Sequence, residues 1–108
     1  MALFKAPLED IKYLTNEFID TSKLSDAIYD EAANITSNLL FPLNRTGDEQ
    51  GCTLTDGTVT TPEGFKEAYE EMTSGGWGSF TCAPEFGGQG LPHYIANSVD
   101  EMVISSNI

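Results

Sequence analysis

The sequence is poor in positive charge. Five Lys or Arg stand against 17 Asp or Glu among 108 residues, and the formal net charge is −12. A phosphate backbone is gripped by clustered Lys and Arg, so this balance excludes nucleic-acid binding. It excludes docking on an anionic membrane surface for the same reason. Long apolar runs are missing too. The longest, Leu39-Leu40-Phe41-Pro42-Leu43, falls far short of the ~20 residues that span a bilayer. Cysteine is scarce: Cys52 and Cys82 are far apart and form no CxxC pair. The single histidine, His93, leaves no zinc set of about four ligands at short spacing. The opening Met1-Ala2-Leu3-Phe4-Lys5-Ala6-Pro7 lacks the basic stretch and apolar core of a secretory signal. Together these absences predict a cytoplasmic protein with reduced thiols. No repeat or low-complexity tract is present. The length predicts one domain, and 40% apolar residues allow a modest core.

What is there reads as helices. The first spans about Pro7 to Phe18, with Pro7 in the first turn and Leu8, Ile11, Leu14 and Phe18 on one face. The second spans about Leu24 to Leu40, with Ser22 or Ser25 as its cap. Its buried stripe is Leu24, Ile28, Ala32, Ile35 and Leu39. Pro42 should kink or restart this helix, which continues to about Arg45. A loop is expected from Gly47 to Thr61, since Thr58-Val59-Thr60 is too short to found a sheet. Thr61-Pro62-Glu63 marks the start of a third helix with Phe65, Ala68, Tyr69 and Met72 on one face. Gly75-Gly76 ends it by supplying the left-handed cap. Trp77 to Leu91 holds too many breakers for regular structure, with Phe86 as the aromatic it buries. Pro92 opens a fourth helix with Ile95, Val99, Met102 and Ser106 on its stripe, expected to be still running near Ile108.

Self-contained chemistry is hard to assemble from these residues. Cys82 or Cys52 with His93 lacks the orienting third group of a nucleophile pair. Asp48-Glu49-Gln50-Gly51 with Asp56-Gly57 lacks the alternating acids and terminal glutamate of a calcium loop. Glu63, Glu67 and Glu71 share a helical face and read as solvated, or as a contact for basic groups. Gly75-Gly76-Trp77-Gly78 and Gly87-Gly88-Gln89-Gly90 fit neither phosphate-binding glycine pattern. These glycines are expected to serve tight backbone approach.

One run is more specific than the rest. Ala83-Pro84-Glu85-Phe86-Gly87-Gly88-Gln89-Gly90-Leu91-Pro92, after Gly75-Gly76-Trp77, resembles the N-terminal domain of flavin-dependent acyl-CoA dehydrogenases. Asp100-Glu101-Met102 matches the acidic pair and apolar residue on that family's following helix. Leu43-Asn44-Arg45-Thr46-Gly47-Asp48 and Thr61-Pro62-Glu63-Gly64-Phe65-Lys66-Glu67-Ala68-Tyr69 are similar to its preceding helices. Phe4-Lys5-Ala6-Pro7-Leu8-Glu9-Asp10-Ile11 looks like the extension of the subgroup that includes 3-methylmercaptopropionyl-CoA dehydrogenase.

The resemblance implies an all-α, up-and-down helical bundle. It divides the chain into an extension, 1–20, and a family domain, 21–108, cut short of its full length. The full enzyme would use FAD to oxidise an acyl-CoA thioester to the 2,3-enoyl-CoA. A carboxylate base takes the α-proton while hydride leaves the β-carbon for flavin. That base and most of the FAD site fall outside 1–108, so the fragment alone is expected to be inactive. Its implied contribution is part of the acyl-pocket wall, through Met102, Ser106 and Asn107, together with interdomain packing. Implied partners are acyl-CoA, an electron acceptor, the remaining domains of the chain and further copies in a homo-oligomer. The competing reading is an autonomous acidic interaction module without catalysis.

Overall fold

The computed structural model describes residues 3–20, 22–23 and 25–108. Helix α1 (Leu8–Leu14) follows Pro7, whose carbonyl accepts the Ile11 N–H at 3.1 Å. It runs on through one π turn, Thr15–Ile19. Ile11 and Thr15 are buried here, whereas Leu14 and Phe18 of the predicted stripe are exposed, Phe18 by 72%. Thr15 takes the inward position because its hydroxyl meets the Tyr29 hydroxyl at 3.2 Å. The π turn then advances less per residue than an α-helix and carries Phe18 off the stripe.

Helix α2 (Asp26–Ile35), a second π turn (Thr36–Leu40) and α3 (Phe41–Gln50) follow one another without a loop. The restart expected at Pro42 is made by this turn. Phe41 N–H bonds the Thr36 carbonyl five residues back, and Pro42 enters in the first turn of α3, where its missing N–H costs nothing. The buried side of α2 is Tyr29, Ala32 and Ala33, followed by Thr36. The predicted stripe is therefore displaced by about one position. Ile28, Ile35 and Leu39 are half-buried, and Leu24 lies outside the described residues. Ser25 holds the N-cap position without a capping bond from its side chain.

α3 reaches Gln50, further than predicted. Gly47 is buried in its last turn rather than in a loop, because the Phe65 ring lies where a side chain would begin. The predicted loop is also partly regular. β1 (Thr53–Thr55) and β2 (Thr58–Thr60) pair antiparallel, Leu54 opposite Val59. Asp56 and Gly57 both take positive φ, +50° and +77°, as the tight two-residue hairpin turn requires.

Helix α4 (Phe65–Ser74) begins later than the Thr61-Pro62-Glu63 signal indicated. The Glu63 N–H is held by Gln50 Oε1 at 2.9 Å, tying it to the end of α3, and Gly64 becomes the N-cap. At the other end Gly76, φ +77°, is the left-handed residue. Its N–H bonds Thr73 O, and the Trp77 N–H bonds Met72 O at 3.2 Å, the paired bonds of a Schellman cap. Trp77 thereby lands edge-on against Phe80, ring centres 6.0 Å apart. Phe80 is the aromatic this connection buries; Phe86, in a short 3₁₀ turn (Pro84–Phe86), is 81% exposed.

Helix α5 (His93–Ser106) opens after Pro92, and Ile95, Val99, Met102 and Ser106 are all buried, as their spacing predicts. It stops at Ser106, and Asn107 is extended. The core gathers Tyr29, Ala32 and Ala33 of α2 with Ile95, Val99 and Met102 of α5, joined by Ile11 and Phe80. The domain is all-α apart from the hairpin. It is also a slab, 53 × 41 × 15 Å, with a radius of gyration of 15.9 Å; a compact chain of this length has about 13 Å. Its 7410 Å² of accessible surface exceeds the about 5,900 Å² of a compact monomer of its mass.

One long-range bond fastens the chain after α1 to the first turn of α5. Tyr94 Oη donates to Asp20 Oδ2 at 2.9 Å, and the Ser22 N–H donates to Asp20 Oδ1 at 2.9 Å. Bonds from the Ser22 hydroxyl, the Ser22 N–H and Tyr94, in that order, hold the Asp20 carboxyl below its usual range. A depressed carboxylate pKa stabilises the fold above its unfolded value, and that contribution is lost as pH falls through the folded value. In an NMR titration Asp20 should titrate below an ordinary aspartate. Tyr94→Phe should move its midpoint up part of the way, because the Ser22 bonds remain. A midpoint unmoved by Tyr94→Phe would show that the bond does not hold in solution.

Gly88 packs directly on the Cys82 carbonyl, whereas Gly78 faces open space. Gly88→Ala should therefore lower unfolding stability by about 1–3 kcal/mol, the usual cost of overpacking. Gly78→Ala should change it by less than about 0.5 kcal/mol, as exposed substitutions do. Paired urea melts of the two variants test this, and equal midpoints would contradict the close approach.

Candidate functional site

The half-covered faces of α3, α4 and α5 enclose an open groove of about 510 Å³. Leu40, Leu43, Phe65, Met72 and Val103 supply most of its apolar wall. Tyr69 stands on one side, 70% exposed, and Asp100 is a charged residue on the lining. Trp77 lines this groove and also walls a second hollow of about 270 Å³, with Ile28, Phe80 and Leu91. The Schellman cap of α4 thus positions a ring that both hollows share.

The three residues singled out at the end of α5 fall in different places. Met102 is completely buried in the core. Ser106 is buried as well, and its hydroxyl bonds the Val103 carbonyl at 2.8 Å. Asn107 lines the groove, and its amide donates to the Leu40 carbonyl at 2.8 Å. That acceptor lies in the π turn. The next residue repeats the tie, since the Ile108 N–H bonds Asn44 Oδ1 at 3.2 Å. Leu43, Phe65, Tyr69, Met72 and Val103 were not read as groove residues. The face shared by Phe65, Tyr69 and Met72 was legible; that it would lie half-covered was not.

Other candidate chemistry stays dispersed. Cys52 and Cys82 are both free and exposed. Among the described residues no three His, Cys, Asp or Glu side chains gather as a metal site, and no helix is long and apolar enough to cross a membrane. Glu63 precedes α4, so Glu67 and Glu71 alone carry the acidic face on that helix, both exposed. Lys66 lies 3.9 Å from Glu70 on the same helix.

Core and groove roles are separable by stability. Met102→Ala should cost about 2–5 kcal/mol, as for other large-to-small changes in a core. Asn107→Ala removes one hydrogen bond and should cost about 0.5–1.5 kcal/mol. Denaturant melts check both, and a loss at Met102 no larger than that at Asn107 would contradict the packing described.

No family model matches the chain. Two enzymes are similar to it. The 3-methylmercaptopropionyl-CoA dehydrogenase of Ruegeria pomeroyi is 34% identical over 82 residues, covering 76% of this chain and 14% of that enzyme. The butyryl-CoA dehydrogenase of Syntrophomonas wolfei is 31% identical over 88 residues, covering 66% of this chain and 14% of that enzyme. The chain therefore spans about one seventh of the length of either relative. With this similarity over most of its length and a mostly helical fold, the chain is an acyl-CoA dehydrogenase-like fragment.

Proposed function

We propose that the chain is the N-terminal helical domain of a flavoenzyme that oxidises an acyl-CoA thioester to the 2,3-enoyl-CoA. Residues 1–20 form an extension and 21–108 the family domain. The observation that carries this reading is the 34% identity over 82 residues to an acyl-CoA dehydrogenase. The surface excess over a compact monomer supports it, because a domain built to pack on neighbours keeps area that they cover.

In this reading the end of α5 contributes to the wall of the acyl pocket. Asn107 contributes directly, while Met102 and Ser106 hold the last turn of α5 in place from inside the core. The residues present do not fit a flavin by themselves. Among the described residues no Lys or Arg lines either hollow beside Trp77, whereas a dinucleotide pyrophosphate is held by positive charge or by free N–H groups at a helix start. The catalytic base and the flavin site belong to other parts of the enzyme. That enzyme is cytoplasmic and homo-oligomeric, and passes its electrons to a separate acceptor.

The full-length enzyme should reduce an artificial electron acceptor when given acyl-CoA. The isolated 108-residue chain should show no turnover and no tight flavin binding in a fluorescence titration. Stoichiometric flavin binding by the isolated chain, or a full-length protein that oxidises no acyl-CoA, would overturn the reading.

A further inference from the structure

The β1–β2 hairpin contributes no residue to the core, and every residue of both strands is exposed. A lone two-stranded hairpin is only marginally stable in water, so this one opens locally far more readily than the helices. Its turn is Asp56-Gly57, with both residues at positive φ. Asp56 is exposed, and a side chain begun at Gly57 would meet no atom within 4 Å. The ladder closes at the Thr55–Thr58 pair, so the Gly57 N–H takes no part in it.

Asp56 also differs from the other aspartates. Of seven in the chain it alone precedes glycine, and no asparagine does so. Asp10, Asp26, Asp30, Asp48 and Asp100 lie within helices, whose regular backbone fixes the nitrogen that follows each of them. The Asp20 carboxylate is held from both sides by Ser22 and Tyr94.

We infer that Asp56-Gly57 is a site of covalent self-modification, at which Asp56 converts to isoaspartate through a cyclic succinimide. The Gly57 backbone nitrogen attacks Cγ of the protonated Asp56 carboxyl. The N–Cγ bond forms as the Cγ–OH bond breaks, and the amide proton leaves with that hydroxyl as water. Water then adds at the Asp56 main-chain carbonyl and breaks its bond to the Gly57 nitrogen. The chain now runs through Cγ, and the composition is unchanged overall. Glycine permits the attack because no Cβ shields its nitrogen. Closing the ring requires the backbone to leave the tight turn, which the weak hairpin allows.

The product carries an extra backbone atom in a turn of two residues. Turn type and length set the register of a hairpin, so the pairing of Leu54 with Val59 is lost. The bond from the Glu63 N–H to Gln50 at the hairpin's base involves neither turn residue, so the change stops short of α4.

The test is prolonged incubation of the folded full-length enzyme in oxygen-18 water, followed by digestion and electron-based fragmentation that distinguishes the β-linked chain. Isoaspartate should accumulate at position 56 with one oxygen-18 in each product molecule, while the other six aspartates stay α-linked. Asp56→Glu should abolish the product, because its longer side chain would have to close a larger ring. Asp56→Asn should speed its formation, since ammonia leaves in place of water and the same ring results. Acyl-CoA oxidation enters neither the step nor its readout, so failure of the proposed function leaves this result readable. Position 56 remaining α-linked in the folded enzyme would overturn the inference. Isoaspartate without oxygen-18, or equal amounts at the other aspartates, would overturn it too.

Discussion

The packing of α2 on α5 is the contact on which the rest of the domain depends. Ala32 and Ala33 on α2 are small enough to let the two helices approach closely. Ile95, Val99 and Met102 on α5 fill the space between them. Tyr29 is too large for such an interface unless its hydroxyl has a partner, and a buried hydroxyl without one is costly. Thr15 supplies that partner from the π turn after α1, which is what draws α1 onto the pair. A side chain chosen for burial thus sets the position of a third helix.

Pro42 shapes what the second half of the chain can do. A proline inside a helix removes one backbone bond and collides with the preceding turn. Widening that turn at Thr36–Leu40 resolves both problems without ending the helix. The Thr36 hydroxyl returns to the Ala32 and Ala33 carbonyls, which keeps the turn tied to α2. It also presents the Leu40 carbonyl to Asn107, so the end of α5 is registered against the irregular turn itself. The groove lies where those two features meet.

How much of this could be read from residues follows from which forces are local. The α5 stripe was legible in full because all four of its positions face one core. The Schellman cap was legible from Gly75-Gly76, since a left-handed cap is a local demand. The Asp56-Gly57 hairpin carries a local signal as well, a turn dipeptide between β-branched residues, but Thr58-Val59-Thr60 is too short to announce a sheet by itself. Gly47 could not be placed that way. It resembles a helix stop, and only the ring of Phe65, arriving from α4, explains a glycine inside α3. Phe18 failed similarly, because a stripe counted at 3.6 residues per turn does not allow for a π turn, and Leu14 lost the inward position to Thr15. At the groove, the residues were visible as a helix face but their missing cover was not. Periodicity reports that a face is apolar, not whether its partner lies in the same 108 residues.

The thinness of the domain and its charge belong to one argument. A slab 15 Å thick has little interior, so much of its apolar side-chain area must lie on a broad face. Tyr13, Leu14, Phe18 and Ile19 are all more than half exposed at one end, and Tyr69 is so beside the groove. An acidic excess of this size keeps like surfaces apart in solution, since net charge opposes association of identical chains. It cannot satisfy the apolar faces. A surface that is both strongly acidic and unusually apolar selects cover that brings its own positive charge. Of the basic residues in this chain, Lys12 and Arg45 already pair with Asp30 and Glu49, and Lys66 lies near Glu70. With only five cations against 17 acids, most of the domain's carboxylates have no basic residue to pair with, and the field they set up favours a partner that carries positive charge.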